Sequence, residues 1–405
     1  MRSTVAVMRA LLLTSVCLLC VYIAFIVLLI VPALQDHVIY MHRATLTWFQ
    51  DVNFLEQWGF LRNQVTPFYL ETADGEHLHA WHILPLDVYL ENERELHKES
   101  PGLCENVENR LSFRLLQHDP NVRLVVYLHG AGGTLGSGWR PQSYRALSAA
   151  CDNVHVLAID YRGFGSSTGW PSEMGLLTDA LTLVEFAVRT AGISPNRIVL
   201  FAQSMGTAVA LSLTHHLAVQ SPPILFAGTV LVAPFADVAS LSRTYKIGGV
   251  VPLLSPLSWF PFPKLLAVFN GLIISKWPSQ EKLADTVRHL DSIHASGRKH
   301  GYDITLIHAQ DDHDVPSVHS DILFWHSVDA ALQSDMTVAS VTSGEKSVIK
   351  SWTSVEADGE AVIWHGKGGI IRKHIVMYGS HDRIMSHPVV SLAVARAFGT
   401  RDVPH

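Results

Sequence analysis

Several absences narrow what this chain can be. Four cysteines in 405 residues are too few for a disulfide framework, and two of them, Cys17 and Cys20, sit in an apolar N-terminus. Cys104 and Cys151 are left as a pair that could join, with nothing in the sequence to say that they do. The net charge is −6, so the basic excess of a nucleic-acid binder is missing. The 23 histidines are scattered, with no HExxH and no Cys/His cluster at zinc spacing, so neither a metal nor an organic cofactor is expected. No Asn-x-Ser/Thr sequon occurs, so glycosylation gives no guide to compartment.

What is present begins with a long apolar run. Residues 10–34, ALLLTSVCLLCVYIAFIVLLIVPAL, carry no charge. At about 1.5 Å per residue the run exceeds a bilayer core of about 30 Å. A cleaved signal peptide is the competing reading, with Val31-Pro-Ala33 as its cleavage site, but its apolar region is usually only about 7–15 residues. The run is therefore read as a retained transmembrane anchor. Arg2 and Arg9 precede it, whereas Asp36, Arg43, Asp51 and Glu56 follow. The positive-inside rule places residues 1–9 in the cytosol and the rest in the lumen or outside, the endoplasmic reticulum being the expected membrane. Residues 35–63 read as a juxtamembrane helix, with Ile39, Leu46, Trp48, Phe49, Val52, Leu55 and Trp58 at mixed helical spacing. Whether these residues meet lipid or the following domain is open, because periodicity does not separate the two.

Residues 64–405 read as one α/β domain. Val65–Leu70 and His77–Leu84 flank Asp74-Gly75, a hairpin pattern. The acidic stretch 86–118 reads as a solvated surface insertion. Continuous apolar runs then appear at 124–128, 154–159, 197–202, 229–233, 304–308 and 374–378. Helical stretches at 141–150, 173–190, 205–219, 317–333 and 388–398 separate them. That alternation predicts a mostly parallel sheet with helices on both faces, and chemistry gathered at the carboxyl ends of its strands.

The strand ends carry the candidates. Phe201-Ala-Gln-Ser-Met-Gly206 places Ser204 between small residues just past an apolar run and just before a helix. This is the context of a nucleophile elbow, with Ala202 where Gly is usual; an ordinary helix N-cap serine is the bland alternative. A serine hydroxyl needs a base, itself oriented by a third group. In the chain order Ser, acid, His, the strand-end residues Asp312 and His381 fit. Asp312 is preferred because Asp-x-x-Val-Pro spans 312–316; Asp314 is second and Asp311 also competes. His374 begins a strand and His387 lies near the next helix, so His381 is favoured. An oxyanion hole needs two backbone N–H groups, which Met205 and the His129-Gly-Ala-Gly-Gly133 loop, at Ala131, would supply. No Gly-Lys-Ser/Thr follows that loop, which argues against a phosphate cradle. Asp160 and Arg162 in DYRGFGSS read as turn-stabilising residues.

Taken together, HGAGG, DYRGFGSSTGWPSE, AQSMG, HAQDDHDVP and YGSH resemble the α/β-hydrolase superfamily. Within it they are similar to membrane-anchored α/β-hydrolase-domain lipases acting on monoacylglycerols and lysophosphatidylserine. The resemblance covers roughly residues 65–235 and 300–400. It implies a serine hydrolase cleaving esters of single-chain lipids through an acyl-Ser204 intermediate. An acyl-protein thioesterase or depalmitoylase would use the same groups, and a non-catalytic membrane scaffold is the alternative of another class. The implied partners are a lipid ester and the bilayer, with no nucleic acid.

Two insertions interrupt the pattern. Residues 236–299 occupy a lid position, and their centre, 244–280, holds five prolines and only Lys246, Lys264 and Lys276 as charges. Prolines forbid a continuous span, and apolar surface with lysines suits an element lying in a membrane interface. Residues 335–370, polar and then Gly-rich at 366–369, read as a surface loop.

Overall fold

A computed structural model describes residues 2–247, 249–258, 263–295, 301–334, 354–356 and 359–399. Its strands are β1 (Val65–Glu71), β2 (His77–Ile83), β3 (Arg123–Leu128), β4 (Val154–Ile159), β5 (Ile198–Gln203) and β6 (Gly228–Val232). Then come β7 (Lys246–Ile247), β8 (Val251–Pro252), β9 (Tyr302–Ala309), β10 (Ser354–Glu356), β11 (Gly359–His365) and β12 (Gly369–Val376). Ten of them form one sheet in the order β1-β2-β4-β3-β5-β6-β9-β12-β11-β10, and β7 and β8 pair separately. From β4 to β12 the central strands are parallel. The hairpin β1–β2 and the β11–β10 edge run antiparallel. β4 and β5 are buried at every position and β3 at all but its first, which is why their sequences are apolar throughout and do not alternate.

The helices are α1 (Arg2–Leu28), α2 (Pro32–Ile39), α3 (Leu86–Leu96), α4 (Leu111–His118), α5 (Arg140–Ser148) and α6 (Glu173–Glu185). They continue with α7 (Met205–Ala218), α8 (Val238–Thr244), α9 (Pro263–Leu272), α10 (Ser279–Ala295), α11 (Val318–Ser334) and α12 (Pro388–Ala397). One face of the sheet meets α6, α7, α10 and α11 around Leu124, Leu200, Val209 and Leu213. The other meets α5 and α12 around Val125, Tyr127, Leu147 and Val394. The order in which strands are added reverses at β3, β4 lying on one side and β5 on the other, which leaves a crevice at the strand ends where the loops after β3 and β5 part.

Several expectations need correction. The apolar helix is α1, starting at Arg2 and ending at Leu28, not at 34; Thr4–Leu28 is long and apolar enough to cross a membrane, and its side chains are exposed apart from Tyr22, Phe25 and Ile26, which are half-buried near its end. Pro32 restarts the chain as α2, because proline suits a first helical turn. Residues 35–63 are not one helix. α2 stops at Ile39, Met41 and Leu46 take positive φ (48° and 57°), and only Leu55–Trp58 forms a further turn. The mixed spacing offered no single apolar stripe, and the segment instead folds onto the α/β domain with Tyr40, Val52 and Leu55 buried. The stretch 86–118 forms α3 and α4, with Leu96, Phe113 and Leu116 buried, so acidic composition masked a packed face. Within the expected lid 236–299, α10 belongs to the sheet-covering layer through Leu283, Val287 and Leu290. Of the expected loop 335–370, residues 335–353 and 357–358 lie outside the described residues; the rest adds β10 and β11 to the sheet. The Gly-rich stretch is the β11–β12 turn, closed by Gly366 N–H to Gly369 C=O at 2.9 Å.

Candidate active site

Ser204 follows β5 and caps α7 with φ 51° and ψ −123°, a backbone conformation rare outside glycine. Its amide donates to Val232 C=O at 3.0 Å, so the adjoining strand holds the turn. Two turns of chain must pass close here. A Cβ at position 206 would collide with the carbonyl oxygens of Leu128 and His129, so only Gly206 fits. Ala202 lies deeper, fully buried in register with Leu128 on β3 and Leu231 on β6, where its methyl is accommodated.

The three residues that the sequence singled out meet. His381 Nε2 is 2.8 Å from Ser204 Oγ, and His381 Nδ1 is 2.7 Å from Asp312 Oδ2. With neutral imidazole, Nδ1–H donates to the carboxylate and Nε2 accepts the serine hydroxyl. Asp312 is buried, and its Oδ1 accepts from the amides of Asp314 (3.0 Å) and Val315 (2.8 Å). Burial alone would raise the Asp312 pKa, but hydrogen bonds from His308 and His381 hold it well below the usual carboxylate range. Burial alone would lower His381; the Asp312 hydrogen bond and charge, with Asp382 and Asp314, outweigh it and raise His381 to about 9.

The competing acids have other tasks. Asp311 accepts the Ser380 amide at 2.7 Å, fixing the turn that presents His381. Asp314 accepts the Gly249 amide at 2.6 Å and so ties the lid to this loop. His374 lies within β12, and His387 caps α12, neither bonded to Ser204.

Ala131 and Met205 both border the cavity beside Ser204. Among the described residues, neither amide has a protein acceptor, whereas Gly132 N–H and Gly133 N–H donate to Tyr40 C=O (2.8 Å) and Ala44 C=O (2.5 Å). Behind the loop lies Arg140, the first residue of α5, which the sequence reading passed over. Its buried guanidinium donates to the carbonyls of Thr134 (2.6 Å), Gly130 (3.0 Å) and Gly132 (2.7 Å). Carbonyls drawn to one side leave the amides facing the other. At position 130 a Cβ would meet Gln203 Oε1 and crowd Ser204 Cβ, so a larger residue there would displace the Gln203 amide.

Two further residues went unnoticed. His308, fully buried, donates Nε2–H to Val315 C=O (2.8 Å), lies 3.3 Å from Asp312 Oδ2 and bonds Ser320 Oγ at 2.8 Å through Nδ1. Its spacing four residues before Asp312 was visible, but the intervening turn that brings them together was not. Gln203 donates to both His381 C=O and Asp382 Oδ1 at 3.3 Å, joining the end of β5 to the loop that carries His381. Asp160 and Arg162 are structural, as expected. Asp160 is buried beside His129 at 3.5 Å; Arg162 bridges Asp179 and Asp74, tying the β1–β2 turn to α6.

Above Ser204 lies a cavity of about 390 Å³. Ser204, His381, Asp382 and Asp314 form its polar end. Phe235 and Leu241, Leu254 and Phe269 of the lid line the apolar remainder, together with residues from Leu29 to Leu46.

The profile of the alpha/beta hydrolase family matches residues 125–397 of this chain. The lysophosphatidylserine lipase ABHD12 of Danio rerio is 27% identical over 300 residues, 74% of this chain and 68% of that protein. The Xenopus tropicalis protein of the same name is 29% identical over 246 residues, 60% of this chain and 58% of its own. The human Protein ABHD12B is 32% identical over 180 residues, 44% of either chain. The chain thus spans between 44% and 68% of these relatives' lengths. A crystal structure of an alpha-beta hydrolase from Vibrio vulnificus superposes with a TM-score of 0.52 at 13% identity, covering 91% of each chain, a likeness of fold. With the sheet order, the serine elbow and a family profile that covers most of the chain in agreement, this protein belongs to the alpha/beta hydrolase family.

Proposed function

We propose that this chain is a membrane-tethered serine hydrolase that cleaves carboxylic esters of single-chain lipids, monoacylglycerols or lysophospholipids. The observation that carries the reading is the continuous hydrogen-bonded chain from Ser204 through His381 to Asp312 at the polar end of an otherwise apolar cavity. Ser204 Oγ attacks the ester carbonyl while His381 Nε2 takes its proton. Asp312 holds the imidazole and stabilises its charged form. The amides of Ala131 and Met205 receive the oxyanion of the tetrahedral intermediate. Collapse breaks the ester bond, and His381 returns the proton to the departing glycerol or headgroup oxygen. A water deprotonated by His381 then attacks acyl-Ser204 and releases the fatty acid. The relatives named lysophosphatidylserine lipase support a lipid ester as substrate.

The membrane carries the substrate. α1 serves as a single-pass anchor, with Arg2 keeping the N-terminus cytosolic and residues 64–405 in the lumen, in the endoplasmic reticulum. Leu265, Val268 and Leu272 on α9 are exposed at i, i+3 and i+7, beside a buried face that holds Leu266 and Phe269. That outer stripe rests in the bilayer interface and lets a lipid reach Ser204. The test is hydrolysis of monoacylglycerol and lysophosphatidylserine by membranes bearing the wild type or Ser204→Ala. Activity lost only in the variant supports the reading; equal rates in both, with no labelling of wild type by a fluorophosphonate, would sink it.

A further inference from the structure

The segment between the membrane helix and the catalytic domain does more than connect them. Gln35, buried, donates Nε2–H to Leu272 C=O (3.0 Å) and accepts the Ile274 amide (3.1 Å), gripping both sides of the turn after α9. Tyr40 OH bonds Ser275 Oγ at 2.9 Å, and Tyr22 OH donates to Leu253 C=O at 3.2 Å. Leu29 is buried among Leu254, Leu257, Leu266, Phe269 and Ile273 of the lid. Directly after α2 the same segment turns to the oxyanion loop, where Tyr40 and Ala44 accept from Gly132 and Gly133, and Thr45 C=O accepts Ser137 Oγ–H at 2.8 Å. Its side chains Val38, Ile39 and Met41 face the cavity that holds Ser204.

From these contacts we infer that residues 29–46 are the acyl-binding wall of the site, so that the segment leaving the apolar helix sets how much of the fatty chain the enzyme accommodates. The inference rests on the lipid-esterase reading above. The physical argument is one of placement. Asp314 and Asp382 line the cavity with Ser204 and His381, so a carbonyl held at Ser204 sends its acyl chain away from those carboxylates; the polar lining groups Gln35 and Ser242 are committed to hydrogen bonds with Leu272, Ile274 and Asn270. The apolar route left runs between the lid and α2 toward Leu29, where α1 ends. An apolar chain gains free energy with each methylene moved out of water, so the side chain at position 38 acts as a stop or an extension of that route. Because Gln35 and Tyr40 bind the lid while Tyr40 and Ala44 bind the oxyanion loop, the wall is held rigid against both. Residues of α2 are thus specificity-determining, although none belongs to the sheet that carries the triad.

The test uses full-length protein in its membrane with two opposed substitutions, Val38→Phe and Val38→Ala. The readout is the ratio of kcat/KM for p-nitrophenyl hexadecanoate to that for the butanoate ester. Excluding about two methylenes from apolar contact corresponds to roughly a tenfold fall in that ratio. Val38→Phe is expected to lower it by about that factor and Val38→Ala to leave it equal or raise it. General perturbation of the site would lower the ratio in both variants, so a fall in Val38→Phe that Val38→Ala does not share marks a wall. A ratio within about twofold of wild type in Val38→Phe, or a fall shared by both variants, overturns the inference while leaving the esterase reading in place. Wild-type protein that neither hydrolyses these esters nor labels with a fluorophosphonate defeats the esterase reading first, and the wall falls with it.

Discussion

Replacing Asp312 by Asn separates orientation from charge at His381. The side chain has the same shape, and its Oδ1 can go on accepting from Val315 and Asp314, so the loop keeps its hydrogen bonds. The NH2 group then points at His381 Nδ1, where Oδ2 stood at 2.7 Å, and toward His308 Nε2, 3.3 Å away. His308 already donates to Val315 C=O, so two donors face each other on that side. On the other, the amide NH2 favours the imidazole tautomer with its proton on Nε2, which cannot accept from Ser204. A wrong tautomer in a preserved geometry costs about 10⁴-fold in kcat in a serine protease, and a fall of about 10³–10⁴ is expected here. The pH dependence gives an independent sign. In the wild type His381 titrates at about 9, so only about 1% is neutral at pH 7, and kcat/KM should rise about tenfold per pH unit until the alkaline range. Without the Asp312 charge, burial pulls His381 down, and the limb should move to lower pH even as the plateau falls. The assay is kcat/KM for a neutral, water-soluble ester between pH 6 and 10, with fluorophosphonate labelling as a second measure. A variant within tenfold of wild type, with its limb unmoved, would refute Asp312 as the orienting acid and redirect attention to Asp314→Asn.

Four other substitutions probe the frame around the site. Gly206→Ala sets a methyl against the Leu128 and His129 carbonyls, neither of which can swing aside, so a loss of about 1–3 kcal/mol is expected as a lowered Tm; Ala202→Gly should cost only about 1 kcal/mol and keep its activity. Arg140→Lys keeps a buried cation but not the fork that spans three carbonyls. It should reduce kcat about 10²-fold with little change in KM, which steady-state kinetics on the same ester would check. Arg162→Ala leaves the buried Asp179 carboxylate without its partner. Burial already raises Asp179 to about 6, so neutralisation limits the penalty to about 3 kcal/mol, measured by denaturant unfolding, while labelling of the folded fraction persists.

How much was legible in advance follows from what is local. Apolar runs without alternation announced β3, β4 and β5, because strands buried on both faces have no polar side to show. Small residues around Ser204 announced the elbow, because crowding there is set by the turn itself, as Gly206 against Leu128 shows. Asp312 and His381 could be chosen because the loops after successive parallel strands converge at one edge of the sheet. Local pattern failed at 35–63, where the apolar spacing is irregular because the segment packs in turn against the lid, the oxyanion loop and the β2–β4 region. Arg140 and His308 were invisible for a related reason: a buried cation or imidazole leaves no periodic trace, and its worth depends on which carbonyls or carboxylates the fold brings beside it. The sequence by itself therefore determined the sheet, the reactive side chains and the apolar helix, each written in runs a few residues long. Only the tertiary structure decided which tasks the neighbouring Asp311 and Asp314 take, what holds the 129–133 loop, and that the chain leaving the apolar helix lines the cavity. Those depend on contacts between segments as far apart as Gln35 and Ile274, and no local pattern encodes a distance across the fold.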